Sequence, residues 1–475
     1  MFSGVLFLLF LVPLLGAGIS LGAKSNRSYD THNAYAVSVW VSVTNLLIII
    51  YILTRLDAEK SGIQLIEQYS WPSFLHADML LGVDLFSTLL LLGVNMSFLI
   101  AGLCNSASEE KSKTLIIAQL LFISTLNGYI MAADIISFYV FFAAGSIPLV
   151  IMLSSAEWLN KKSILIRFGL YNLIGIILLF IAVIMIYNYK GGNIPLNTAG
   201  NVSIKGKAEY FVWLSLFFAF ISRMPIWPFH YWLSSINATM RDSFVFNVSN
   251  LIPLIGLYGF MRFWPNTVPL TIAQYAPFFE GVCIMTMLLV AFISLTSKEF
   301  RYNLFAYTTV YYLLYLTGVF LPTSGLKMNI GYALFAYIII STILSFAYSH
   351  IEKEQKRTGI LSIENILCRM PRVSICLSLF ILAGIGLPIT PLFWNNFIII
   401  SEIFNHNLVM GVLIMLSMFM VGLSMLKSLY QMKDRKENTI LTMQVKDISN
   451  SYFIIYIGCL LILFVSFIQP LWFVL

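Results

Sequence analysis

The sequence predicts an all-α polytopic membrane protein of about fourteen transmembrane helices, and three observations predict it. Of the 475 residues, 59% are hydrophobic and only 10% are charged, with a mean hydropathy of +0.87, far from the usage of soluble domains. Apolar runs of about 20 residues, enough to cross about 30 Å of hydrocarbon, recur from end to end. The stretches between them are too short for a large soluble domain.

The expected spans lie near residues 1–22, 34–54, 80–104, 114–132, 134–153, 166–188 and 209–222, then 243–263, 277–296, 303–321, 329–349, 374–403, 408–430 and 452–474. The first contains Pro13 and lacks a basic leader, so it reads as a retained helix, not a signal peptide. Arg55 and Lys60 close the second; Asp84 and Asp134 mark the starts of the third and fifth. Lys111 and Lys113 separate the third from the fourth, and Lys161, Lys162 and Arg167 the fifth from the sixth. Lys190, Lys205 and Lys207 precede the seventh, Arg241 the eighth, and Arg262 closes the eighth. Lys298 and Arg301 precede the tenth and Lys327 the eleventh; basic clusters at 353–372 and 433–446 precede the twelfth and fourteenth.

These charges also predict orientation, because cytoplasmic loops carry the excess of Lys and Arg. Of the 28, the loops after even-numbered helices hold only Arg55, Lys60, Lys190, Lys205, Lys207, Arg262 and Lys327, and Arg223 and Lys427 fall within or at the ends of helices. The other 19 follow odd-numbered helices. Odd loops are therefore expected on the cytoplasmic or matrix side, with both termini facing away. The net charge of +7 is a topology signal; there is no basic stripe of the kind that binds nucleic acid.

Cys104, Cys283, Cys368, Cys376 and Cys459 are scattered, without a CxxC pair, and read as small apolar residues. The five histidines form no HExxH, and there is no GxGxxG turn or Walker loop. No cofactor or metal site is expected on this chain, so a redox group or nucleotide would sit on another subunit.

Two interruptions stand out: Ser222-Arg223-Met224-Pro225-Ile226-Trp227-Pro228-Phe229-His230-Tyr231-Trp232-Leu233, followed by Leu254-Ile255-Gly256-Leu257-Tyr258-Gly259, and Gly386-Leu387-Pro388-Ile389-Thr390-Pro391-Leu392-Phe393-Trp394. Each proline removes a backbone donor and leaves carbonyls about one turn earlier without partners. At membrane depth such backbone persists only where protein or water covers it. Two breaks in comparable positions suggest inverted repeats, near 114–263 and 277–430, around a polar path. Ordinary proline kinks remain an open alternative.

These segments resemble the broken seventh helix, the eighth helix and the interrupted twelfth helix of the antiporter-like membrane subunits of NADH:quinone oxidoreductase, complex I. Leu81-Gly82-Val83-Asp84, Phe138-Tyr139-Val140-Phe141-Phe142 with Ile147-Pro148, and Ala306-Tyr307-Thr308-Thr309 extend the resemblance in order along nearly the whole chain. Within that family the M-type fits best, since no long lateral helix follows the fourteenth span. The resemblance implies a bacterial plasma membrane or mitochondrial inner membrane location. It also implies other membrane subunits of a complex I-like assembly as partners, and a non-catalytic role beside a quinone-reducing enzyme. Subunits of multisubunit Mrp-type cation/proton antiporters share the fold and are the rival reading, with a free-standing structural protein derived from the family as a third.

The resemblance further implies a row of buried ionisable residues that carries protons near the bilayer mid-plane. The family's fifth-helix Glu falls on Ala143, its seventh-helix Lys on Arg223, its eighth-helix Lys on Leu254 and its twelfth-helix Glu on Asn396. Buried Lys or Glu can be tuned to titrate near pH 7; Arg stays protonated, and Ala, Leu and Asn do not titrate. The relay is therefore expected to be degenerate, and residues 303–321 and 329–349 offer no charged residue or His in its place. Arg223 reads either as a fixed countercharge or as a group paired at the kink, for instance with a carbonyl freed by Pro225. Asp84 and Asp134 are the acids expected within its reach, though both also suit helix N-termini. His230, Glu402 and Lys427 form a possible alternative polar path, against the plainer readings of a loop hydrogen bond for His230 and snorkelling or solvation for the other two.

Overall fold

The computed structural model describes residues 4–22, 29–57, 60, 62–70, 78–105, 113–155, 161–190, 192–196, 207–239, 243–267, 275–297, 299–321, 325–358, 369–433 and 446–474. Two helices, α1 (Val5–Gly22) and α2 (Tyr29–Arg55), precede a hairpin of β1 (Gln64–Ser70) and β2 (Asp78–Val83). Next come α3 (Leu85–Asn105), α4 (Lys113–Met131), α5 (Ile135–Ala144), α6 (Ser146–Ser155) and α7 (Lys161–Lys190). They are followed by α8 (Lys207–Ile221), α9 (Tyr231–Thr239), α10 (Ser243–Thr267) and α11 (Ala276–Thr296). The remainder comprises α12 (Phe300–Phe320), α13 (Leu326–Thr358), α14 (Pro371–Ile385), α15 (Pro391–His406), α16 (Leu408–Lys433) and α17 (Asn450–Val474). Nine of the described helical stretches are long and apolar enough to cross a membrane.

The hairpin is a β element that the all-α expectation did not include, in a chain that is otherwise mostly helical, and it corrects the start of the third span at residue 80. β1 and β2 pair antiparallel, with Gln64 opposite Val83 and Ser70 opposite Asp78. A short apolar run such as Leu80-Leu81-Gly82-Val83 merges with the helix behind it in any hydropathy window, and periodicity cannot separate a buried strand from a helical turn. Asp84 is where the chain switches, its Oδ1 accepting a hydrogen bond from Ser87 N at 2.8 Å. The hairpin also finishes α1. Glu67 Oε1 accepts from Gly4 N (2.8 Å) and Leu6 N (3.1 Å), and Oε2 from Phe7 N (3.1 Å). A carboxylate there satisfies orphan donors and suits the positive end of the helix dipole.

Burial orders the helices by depth. In the most apolar stretch of α13, 94% of residues are buried, against 33% in α7, so α13 is central and α7 peripheral. Ile166, Leu170, Leu173, Ile177 and Phe180 point outward from α7, which suits lipid tails. Because lipid offers little hydrophobic drive between helices, polar contacts join them. Asn45 of α2 donates to Asn95 of α3 at 3.1 Å, and Asn95 to Asn127 of α4 at 2.9 Å. Charge pairs lie near helix ends: Arg301, at the start of α12, bonds Glu352 near the end of α13.

Candidate functional site

α8 ends where its ladder fails. Arg223 N and Met224 N turn back on Phe220 O (3.1 Å) and Ile221 O (2.9 Å), a tightened last turn. Pro225 and Pro228 follow, and residues preceding prolines avoid the α region; the Trp227–Pro228 bond is cis. Helix resumes at Tyr231. Trp227 N donates to Thr286 Oγ1 at 3.1 Å, midway along α11, so the interruption lies deep between helix ends. The second interruption separates α14 from α15. Gly386, with φ of 107°, caps α14 in the left-handed region that favours glycine. Leu387 N bonds Leu382 O at 3.2 Å, and Pro391 opens α15 at a position where a missing N–H costs nothing.

Arg223 is 1% exposed. Its Nη2 donates to Phe142 O at 3.2 Å and to Ser146 Oγ at 2.7 Å, and its guanidinium carbon stands 4.5 Å from the centre of the Phe142 ring. Both oxygens flank Ala143 at the join between α5 and α6, so the fifth-helix and seventh-helix relay positions do meet. The carbonyl that holds Arg223 comes from this join, correcting the expectation of one freed by Pro225. Neither expected acid partners Arg223 among the described contacts. Asp134 caps α5, accepting from Ser137 N and Leu80 N, each at 2.8 Å, and from Asn193 Nδ2 at 2.9 Å. Asp84 binds Arg262 Nη1 at 2.9 Å and Lys327 Nζ at 3.0 Å.

A buried cation at mid-membrane costs about 2.5–3.5 kcal/mol or more. Two hydrogen bonds from Nη2, each contributing about 1.5–3 kcal/mol, and a desolvated ring contact of about 2 kcal/mol offset that cost, while Nε and Nη1 are buried without a hydrogen-bond partner among the described residues. Arg223 is thus a retained charge with neutral partners.

α10, which carries Leu254, crosses α8 at glycines. A Cβ on Gly256 would stand 2.6 Å from Phe220 O and 3.3 Å from Arg223 Cβ, and one on Gly259 would stand 2.4 Å from the Phe220 ring. Leu254 itself is wholly buried. Asn396 is buried on α15 beside Tyr315 of α12. The interior between them is polar but uncharged. Tyr312 donates to Asn250 O (3.0 Å), Asn250 to Ser345 Oγ (3.1 Å), and Tyr311 to Gly384 O (2.6 Å). Hydroxyls and amides of this kind do not ionise near pH 7.

The structure does not bring His230, Glu402 and Lys427 into one cluster. Lys427 Nζ donates to Leu295 O at 2.8 Å, at the C-terminal end of α11. It lies roughly 30 Å along α16 from the turn at Asn407, whereas Glu402 sits just over one helical turn before that turn. His230 is half-buried beyond the first interruption, next to Phe229, whose ring meets Tyr171.

The sequence reading overlooked Glu280, the only charged residue of α11, which is 3% exposed. A lone acid inside an apolar span was signal enough to find it.

A family model described as NADH:quinone oxidoreductase/Mrp antiporter, transmembrane, matches residues 132–424. The subunit M of NADH-quinone oxidoreductase from Rhodobacter capsulatus is 24% identical over 423 residues, covering 85% of this chain and 81% of that protein. A chain of respiratory complex I from Thermus thermophilus with bound NADH superposes with a TM-score of 0.85 at 21% identity, covering 98% of this chain and 96% of that one. A chain of the Mrp complex from Dietzia sp. DQ12-45-1b gives a TM-score of 0.79 at 12% identity, covering 97% of this chain and 50% of that one.

Proposed function

The chain belongs to the NADH:quinone oxidoreductase/Mrp antiporter family of membrane subunits, and from that premise we propose that it is an M-type membrane-arm subunit of a complex I-like assembly whose own central proton relay is degenerate. The observation that carries this is the state of the four relay positions. Ala143, Leu254 and Asn396 cannot ionise, and Arg223 is held by Phe142 O and Ser146 Oγ. A relay needs titratable groups within hydrogen-bond reach of one another or of a bridging water, and a fixed guanidinium repels an arriving proton. Translocation would then rest with partner membrane subunits, and this chain would hold the arm together. Coverage favours this over the antiporter reading, since the chain spans nearly all of the matched complex I chain and half of the matched Mrp chain.

On the same reading, α5 with α6, α8 with α9, and α14 with α15 are single spans interrupted at mid-depth, which makes fourteen crossings. Residues 114–263 and 277–430 form two inverted repeats in one membrane domain, each with one proline break. Odd-numbered loops face the cytoplasm or matrix, in a bacterial plasma membrane or a mitochondrial inner membrane. Two of the seven even-side cations, Arg262 and Lys327, are paired with Asp84, which weakens the positive charge on that side further.

The test is a pH-jump assay in proteoliposomes with the unmodified chain, Arg223→Lys, and a variant carrying Ala143→Glu, Arg223→Lys, Leu254→Lys and Asn396→Glu. The unmodified chain and Arg223→Lys are expected to pass protons no faster than protein-free vesicles. Flux from the unmodified chain equal to that of an intact family member overturns the reading.

A further inference from the structure

Glu280 has no use in the relay described above, yet the fold gives it unusual surroundings. It lies four residues inside α11, about 6 Å below the end of the helix. Three other helix ends meet it there: the end of α12 near Leu321, the end of α15 at His406 and the start of α16. Together they enclose a small cavity that Glu280 and His406 share with Thr317, Leu321, Ile403 and Ile414. Glu280 is 97% buried by its 3% exposure, and its Oε2 has no hydrogen-bond partner. Buried carboxylates without partners are rare and costly. His406, exposed at the C-terminal end of α15, lines the same cavity. Among the described residues the other facing elements add no charged group to the lining: α12 contributes Thr317 and Leu321, and α16 has no charged residue between Leu408 and Leu426, while on α11 itself the thiol of Cys283 stands three residues further on. Glu402 stands one turn before His406 on α15.

We propose that Glu280 and His406 form a carboxyl–imidazole proton-binding site, open to the membrane face of the even-numbered loops and separate from the Ala143, Arg223, Leu254 and Asn396 positions. The proton leaves a Glu280 carboxyl oxygen and ends on a ring nitrogen of His406, giving a carboxylate and an imidazolium, and from the exposed imidazole it passes to solvent. Inward, the lining offers one hydroxyl, Thr317, and otherwise aliphatic groups, so the proton enters and leaves on the same side. The site does not depend on the relay being degenerate. Its test reads protonation of one carboxyl, whereas the proposed function is tested by flux.

The experiment is infrared difference spectroscopy of the full chain in proteoliposomes between about pH 5 and about pH 9, a window on both sides of neutrality. The expected result is a protonated-carboxyl band that disappears at the higher pH, is absent in Glu280→Gln, and changes position or pH dependence in His406→Gln. A carboxyl spectrum that is the same in Glu280→Gln and the unmodified chain overturns the proposal. Should Glu280→Gln fail to assemble, His406→Gln decides alone, since its position on the exposed helix end tolerates change. A carboxyl spectrum unaltered in that variant is equally fatal.

Discussion

Arg262 and Arg223 are both buried guanidiniums lying over an aromatic ring, but they have opposite company. Arg262 stands over Tyr258, bonds its hydroxyl oxygen at 2.7 Å and makes a two-pronged contact with Asp84, at 2.9 and 3.1 Å. Lys327 joins the same carboxylate and ties α13 to the start of α3. Arg223 stands over Phe142 with one carbonyl and one hydroxyl. The first cluster lies near helix ends and sets two cations against one carboxylate. The second lies where α8 gives way to α9, beside Ala143, with no carboxylate among its described contacts. A buried charge with a matched partner is hard to remove from one side, while one held by neutral groups is weakly committed.

The largest expected effect breaks the matched cluster. Asp84→Ala leaves Arg262 buried without its carboxylate and should destabilise the assembled protein by about 3–5 kcal/mol, read as a fall in thermal midpoint or a failure to assemble. A loss no larger than that of Arg223→Met would erase the contrast. The same pair sets an acid limit. Burial raises the Asp84 carboxyl, but Arg262 and then Lys327 pull it the other way, and the net effect holds it well below the usual carboxylate range. A depressed folded value means the stability is present above the unfolded value of about 3.9 and is lost as pH falls below it. Thermal melts from about pH 3 to about pH 7 should therefore show an acid slope that Asp84→Asn flattens.

A smaller effect is expected where α10 crosses α8. Gly256→Ala puts a methyl within contact of Phe220 O, and overpacking of this kind costs about 1–3 kcal/mol. Because the neighbour is backbone, the shift should reach the Arg223 turn and appear as faster hydrogen exchange at residues 220–224. Normal exchange there would mean that the crossing has slack.

Arg223→Met sharpens the comparison from the other side. It removes a charge along with its neutral partners' bonds, so the cost should stay near about 1–2 kcal/mol, measured in the same melts. The smallest effect is expected outside both clusters. Glu67→Ala removes the acceptors at the start of α1 and should cost about 1 kcal/mol, seen as fraying of the first turn of α1 in exchange measurements and little elsewhere.

Much of this molecule was legible in the chain. Apolar runs found helices because burying about 20 residues in hydrocarbon leaves little freedom of composition, and Pro225, Pro228, Pro388 and Pro391 fall where α8 gives way to α9 and α14 to α15, because a missing N–H has the same consequence in any fold. That Ala143, Leu254 and Asn396 cannot ionise and that Arg223 stays charged could be read from residue type alone. The hairpin at Gln64–Val83 was hidden because four apolar residues carry no periodicity to set against the helix behind them. Partner choice was hidden too: Asp84 and Arg262 are far apart in sequence, and whether Arg223 met an acid, a freed carbonyl of its own kink or the α5–α6 join was decided only when glycines let α10 and α8 close together. The same holds for Glu280 and His406. The sequence determined which groups can hold a charge, because ionisation belongs to the side chain; the tertiary structure decided which charges face each other, because electrostatic interaction depends on distance and on what excludes water between them.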